Sequence, residues 1–174
     1  MCFIMACGNK ENEPINKVVT KFSVERHDPN LDQQIQPLLN QYFAVMALLQ
    51  EKDTADLQLY GANMIQLADS LAQQNLSLDT ATQIRAVQGL TNIQYEMSAI
   101  LMESNIEERI LGAQMLSLQW IDFLAGIGYQ KQTIYIFSDN DENYWMGLKN
   151  KASNPFVSDG GKNYTPVQVL QELK

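Results

Sequence analysis

Apolar residues recur at three- and four-residue steps along the chain between residues 28 and 128, the period of helices with one buried face. Four segments carry this pattern. Asp28-Pro29 supplies an N-cap and a first helical residue, and Leu31, Ile35, Leu38, Leu39, Tyr42, Met46 and Leu49 follow as a stripe that stops near Lys52. Asp53 caps a second segment, with Asp56 in its first turn and a stripe of Leu57, Tyr60, Met64, Leu67, Ala68 and Leu71. Gly61 shares that face, where close helix approach explains it, and Gln73-Gln74-Asn75 ends the segment. A third starts around Ser77 or Asp79 and runs through Ala81, Ile84, Val87, Leu90, Tyr95, Met97 and Leu101, with a phase shift near Gly89. Ser104 and Glu107 read as a capping box for the fourth. It holds Ile106, Ile110, Ala113, Ser117, Trp120, Ile121 and Leu124 and ends at Gly126 and Gly128.

Helices of about 20–25 residues are roughly 30–37 Å long. Joined by short links, they fold back on their neighbours. The expected fold is therefore all-α, an antiparallel up-down four-helix bundle over 28–128. Beyond Gly128 the pattern changes. Residues 129–174 are expected to form a short irregular or β aromatic C-terminal extension. Gln132 to Phe137 is β-prone, a polar loop spans Ser138 to Asn143, turns fall at Ala152–Phe156 and Asp159-Gly160-Gly161, and Pro166 to Leu173 reads as a last short helix. Tyr135, Phe137, Tyr144, Trp145, Phe156 and Tyr164 crowd into this extension. Such density predicts a lid closing one end of the bundle.

Charge narrows the functional classes. The net charge is −8, and between residues 31 and 127 only Lys52, Arg85 and Arg109 are basic, so that segment carries the whole excess. A nucleic-acid binder needs a basic footprint, and a polybasic membrane-surface protein needs the same. No uninterrupted apolar run reaches the roughly 18 residues of a spanning helix. The two cysteines, Cys2 and Cys7, lie close together near the N-terminus, which argues against an internal disulfide scaffold.

The N-terminal stretch points to an address. Ile4-Met5-Ala6-Cys7 resembles a bacterial lipobox, in which the cysteine is acylated. Polar residues follow from Asn9 to Asn12, as in the tether of an exported lipoprotein, and residues 1–27 read as an N-terminal anchor and linker ahead of a domain over 28–174. A basic n-region and a full-length apolar h-region are missing. On this reading Cys7 carries lipid, and the protein sits in the periplasm or at the outer membrane, touching the membrane through that anchor alone.

Candidate chemistry is sparse. His27 is the single histidine and has no metal-ligand neighbour in sequence. Met46, Met64 and Met97 fall in core stripes, where thioethers fill gaps. A soft-metal site would need several of Met102, Met115, Met146 and His27 to meet in space. Asp139 to Asn143 opens like a calcium loop, but Tyr144 and Asn150 stand where glycine and glutamate are required. Glu96 and Asp122 are acid–base candidates only if buried. Phosphate loops and nucleophile elbows are missing, so no catalytic residue, cofactor or resident metal is expected.

From Asn105 onward the chain resembles domain-of-unknown-function family three-three-four-seven, an exported Gram-negative family. The resemblance is carried by Ile106-Glu107-Glu108, Gln114-Met115-Leu116-Ser117, Tyr135 to Phe137, Tyr144-Trp145 and Asn154-Pro155-Phe156. That domain occurs in lipoproteins and on copper/silver-type efflux adaptors, and its Cys and Met motifs imply soft-metal binding. Here Ser138 stands where the first cysteine would be and Asn140 roughly where the methionine would be, both poor ligands for copper(I) or silver. The resemblance makes Ser117, Tyr144, Trp145, Asn154, Pro155 and Phe156 a scaffold motif around a degenerate metal site. It implies a non-enzymatic envelope module whose partner is an efflux or envelope complex. The alternative is a periplasmic copper/silver-binding or chaperone protein.

Overall fold

The computed structural model describes residues 29–139, 143–157 and 164–170. Cys7, His27, Asp28, Asn140 and the Asp159-Gly160-Gly161 turn lie outside them, as does the N-terminal linker. Four helices come first: α1 (Pro29–Glu51), α2 (Thr54–Ala72), α3 (Thr80–Met102) and α4 (Ile106–Ile127). Three strands follow, β1 (Ile134–Asp139), β2 (Asn143–Gly147) and β3 (Gln168–Leu170). The described residues are mostly helical with one small antiparallel sheet.

Local chemistry sets the helix ends. Asp53 Oδ1 accepts from the backbone N–H groups of Ala55 and Asp56 at 3.0 and 3.2 Å. Asp79 Oδ1 does the same for Ala81 and Thr82 at 3.0 Å each. Both satisfy donors that a first helical turn leaves unpaired. The expected Ser104–Glu107 box is not formed. Asn105 is the cap of α4, accepting from Glu107 N at 2.9 Å, and Glu103 accepts from Asn105 N at 2.9 Å. Gly128 ends α4 at φ 67°, the left-handed conformation that costs glycine least.

Buried positions on α1 repeat the sequence stripe, with Asp32 and Val45 added. On α3 the stripe differs from expectation. The buried residues are Thr82, Ala86, Leu90, Ile93, Met97 and Ile100, a single unbroken helical stripe with no phase shift. Ile84 and Tyr95 point outward, 65% and 73% exposed. The physical reason is register. Reading Ile84 and Tyr95 as core rotates the apparent face, while the real one uses the smaller Thr82 and Ala86 to admit neighbouring helices. At Gly61 of α2 a Cβ would stand 2.8 Å from both Leu101 Cδ2 and Met97 Cε, so this glycine does mark close approach to α3.

Each helix packs on the next in sequence, whereas α1 and α4 meet over only a short stretch around Tyr42, Ser117 and Trp120. The gap between them is covered by the sheet. Strand order is β2-β1-β3, with Ile136 opposite Met146 and Phe137 opposite Trp145. Side chains alternate across a pleated sheet. Ile134 and Met146 join the helical core from one face. On the other, Phe137 and Trp145 stack with centroids 5.7 Å apart, and Phe156 and Tyr164 meet the indole edge-on at 6.0 and 5.1 Å.

Three expectations for this extension change. The segment read as a terminal helix contains β3, which pairs Leu170 with Ile134 and Gln168 with Ile136; its alternating Val167 and Val169 carried the strand signal. Ser138 and Asp139 belong to β1, not to a loop. The extension lies along the α1/α4 side rather than over an end, because Met146 meets the middle of both helices.

Candidate functional site

α4 is the most apolar helix, and by length and composition alone it could cross a membrane. Its neighbours explain that character: α3 packs on one flank, and α1 with β2 on the other. The two flanks differ in chemistry.

On the α1 flank, a chain of hydrogen bonds runs through the core. Met146 N–H donates to Tyr42 Oη at 3.3 Å, Tyr42 Oη and Ser117 Oγ are 2.9 Å apart, and Ser117 Oγ donates to Ala113 O at 2.8 Å. Because the serine proton is committed to Ala113, the phenol proton points to Ser117. Tyr42, Ser117 and Trp120 are fully buried. Burial pushes the Tyr42 hydroxyl up to about 12, since a phenolate there would lose its hydration, against smaller opposite effects from Ser117 and Met146. The arrangement also supplies a partner to an outward N–H of edge strand β2, which would otherwise be left without water or a bond. Sequence reasoning placed Tyr42 and Ser117 on their stripes but missed their pairing. The available signal was a serine inside an apolar stripe, which needs a buried polar partner.

A second tie closes the start of α1 against the α4–β1 link. Tyr129 Oη donates to Gln36 Oε1 at 2.7 Å, and Gln130 N–H donates to the buried Asp32 at 3.1 Å. Burial, with the Asp32 charge adding to it, pushes Tyr129 up to about 12.

α3 and α4 pack closely, and the rim of their contact faces solvent. Contacts run in opposite order along the two helices: Gly89 with Phe123, Asn92 with Gln119, Ile100 with Gly112. Asn92 Nδ2 donates to Gln119 Oε1 at 2.9 Å, and Gln88 Nε2 donates to Asn92 Oδ1 at 2.8 Å. Beyond this amide fence lie exposed apolar side chains. Tyr95 and Met102 share the face of α3 that continues from Asn92, and Met115 and Leu111 share the face of α4 that continues from Gln119. Met102 is 87% exposed, Leu111 53% and Met115 47%. At the other end Arg85 and Asp122 line a cleft of about 330 Å³ with Phe123 and Gly126. Partial burial raises the Asp122 carboxyl above the usual aspartate range.

The residues singled out from sequence separate in space and role. Trp145 and Phe156 form the outer sheet cluster, and Pro155 is buried beside it. Buried Asn154 is a turn residue, accepting from Phe156 N at 2.8 Å and donating to Asp139 Oδ2 at 3.2 Å. Tyr144 is half-buried opposite Ser138. Ser117 belongs to the buried chain, away from these. Ser138 is buried, and among the described residues its hydroxyl has no hydrogen-bond partner, as is also true of the Trp120 and Trp145 indole N–H groups. Met146 is buried, unlike Met102 and Met115. Among the described residues, no three His, Cys, Asp or Glu side chains are grouped as a metal site. Comparison with family models, curated proteins and solved structures gave no match.

Proposed function

We propose that this chain is a non-enzymatic binding module of the cell envelope, an up-down antiparallel four-helix bundle that offers its α3/α4 face to a protein partner. The observation that carries this reading is the exposure of large apolar side chains on both helices: Tyr95 and Met102 on α3, Leu111 and Met115 on α4. Grouped, exposed apolar side chains of this kind mark interaction sites more often than isolated ones do. Export and acylation at Cys7 are part of the proposal and rest on Ile4-Met5-Ala6-Cys7. An envelope or efflux complex as the partner rests on the family resemblance.

The test places a photo-crosslinking residue at Tyr95 or Met115, and at exposed Gln58 of α2 as a control, in cells expressing the full chain. Discrete adducts at Tyr95 and Met115, missing at Gln58, are expected. Equal labelling at all three positions overturns the assignment of the face. The soft-metal alternative has one foothold, the exposed Met102 and Met115 thioethers on this same flank. An anaerobic silver titration against a competing chelator tests it, and loss of binding in the Met102→Leu, Met115→Leu double variant is its required result.

A further inference from the structure

The neighbours of α4 account for one of its apolar stripes, and a second lies outside them. The most apolar 18-residue window of the helix has a mean hydropathy of 1.3, yet 39% of that window is buried. Ile110, Ala113, Ser117, Trp120, Leu124 and Ile127 face the core. The second stripe starts one residue further along. Leu111 and Met115 are exposed, and Leu118 is half-buried outside the core cluster. Glu108 and Asp122, both exposed, end the row. From 108 to 122 the steps are three, four, three and four residues, the spacing of a seam along which another helix lies. On α3, Tyr95 and Met102 are seven residues apart on one face. The contacts of Asn92 with Gln119 and of Ile100 with Gly112 set Tyr95 near the level of Met115, and Met102 near that of Leu111.

The charges at the ends of the seam select its occupant. Among the described residues the ion pair is Lys52–Glu107, and neither Glu108 nor Asp122 takes part in one. Partial burial raises the Asp122 carboxyl, and no neighbouring cation offsets that rise. An anionic phosphate surface would meet two carboxylates here. A second copy of the chain would fare no better. Parallel pairing of α4 with its copy sets Glu108 against Glu108 and Asp122 against Asp122, and antiparallel pairing about Met115 sets Glu108 against Asp122. Like charges so opposed select against that partner. We propose that this face docks a basic amphipathic helix, its apolar stripe laid over Leu111, Met115 and Leu118 beside Tyr95 and Met102, with a lysine or arginine at each end against Glu108 and Asp122. Those two cations stand fourteen residues apart, about 21 Å along the helix. An amphipathic helix presents its apolar face to such a groove, and thioethers adapt to the side chains it brings. The inference rests on the reading of the α3/α4 face as a partner surface and adds the chemistry of the partner.

The probe is a dye-labelled synthetic peptide of about three heptads, with leucines at the stripe positions and a lysine at each end. A glutamate-ended peptide and a lysine peptide with its stripe scrambled are the controls. Fluorescence anisotropy against the full chain should show saturable binding of the lysine helix, about tenfold or more tighter than either control at low salt. Its advantage over the glutamate peptide should narrow as salt screens the pairs. Met115→Glu, at an exposed position, should keep the helical circular dichroism and abolish binding. The Glu108→Lys, Asp122→Lys double variant should bind the glutamate-ended helix more tightly than the lysine-ended one. That variant is still net negative, so a surface that merely attracts basic peptides does not reverse. The proposal is overturned by equal binding of the two charged helices, by equally tight binding of the scrambled peptide, or by no saturable binding up to about 1 mM. Self-association of the chain that Met115→Glu removes also overturns it, since a second copy then fills the face. Crosslinking at Tyr95 and Met115 uses no peptide and reads the face itself, so discrete adducts beside any of these results remove the helix and leave the face.

Discussion

The two flanks of α4 make opposite use of polar atoms. Toward α1 and β2, hydroxyls are sunk among Trp120, Phe43 and Met146, and each proton of the Met146–Tyr42–Ser117–Ala113 chain has an acceptor. Toward α3, amides and charges sit at the rim, with apolar side chains left facing water. The first arrangement fixes one geometry, because breaking any link strands a buried group. The second leaves polar groups facing solvent. Within one helix, then, polar residues are buried and paired on one side and solvent-facing on the other, and burial distinguishes them where residue type does not.

The largest expected effect breaks the closed flank outright. Trp120→Ala removes a fully buried ring that touches both Tyr42 and Phe123, and should cost about 3–5 kcal/mol in urea unfolding. Tyr42→Phe keeps the ring and deletes one hydroxyl. It should cost about 1–3 kcal/mol, because the Met146 N–H then lacks its partner. The same hydroxyl predicts alkaline behaviour. The folded pKa near 12 lies above the ordinary 10, so the neutral phenol is favoured in the fold. Its contribution is complete below pH 10 and is lost as pH rises to 12. Tyr129 adds in the same direction, so Tyr42→Phe should flatten only part of the slope in an alkaline unfolding series.

Glycines sharpen the contrast. Gly61→Ala, where a Cβ would come within 2.8 Å of the tips of Leu101 and Met97, should destabilise by up to about 1 kcal/mol, because those flexible tips can shift. Gly126→Ala, in open space, should stabilise by about 0.5–1 kcal/mol, and thermal unfolding separates the two signs. The smallest effect belongs to Asp122→Asn. Its raised pKa means that charging the carboxylate is disfavoured in the fold, so removing the charge should gain no more than about 0.5 kcal/mol at neutral pH. The gain should vanish in acid, where Asp122 is itself neutral.

Much of this architecture was readable from residue order, but not evenly. The α1 stripe was legible because its neighbours cover one continuous face of large apolar residues. The α3 stripe was not, because Tyr95 and Ile84 are apolar yet solvent-facing, and periodicity cannot tell a core position from an exposed apolar one. The cap of α4 shifted by one residue because Asn105 and Ser104 are both competent caps. β3 was misread because three residues pairing with a strand more than thirty positions earlier leave little local trace. The closed flank was hidden for the same reason, and the open cleft was hidden because it depends on side chains from two helices. The aromatic extension was recognised, but its position along the side follows from the narrow α1–α4 contact, which no local pattern records.

The bond between Met146 and Tyr42 joins positions 104 residues apart. Loop closure over that distance is slow compared with helix formation. During synthesis Tyr42 on α1 waits for its Met146 partner until all four helices and β2 have been made. We expect the sheet to dock late. Substitutions at Tyr42 that remove this bond should therefore speed unfolding far more than they slow refolding, which stopped-flow measurements can read. Between the release of α4 and the arrival of β2, the side of the core around Tyr42 and Trp120 lacks its β2 cover, a state in which exposed apolar surface favours aggregation.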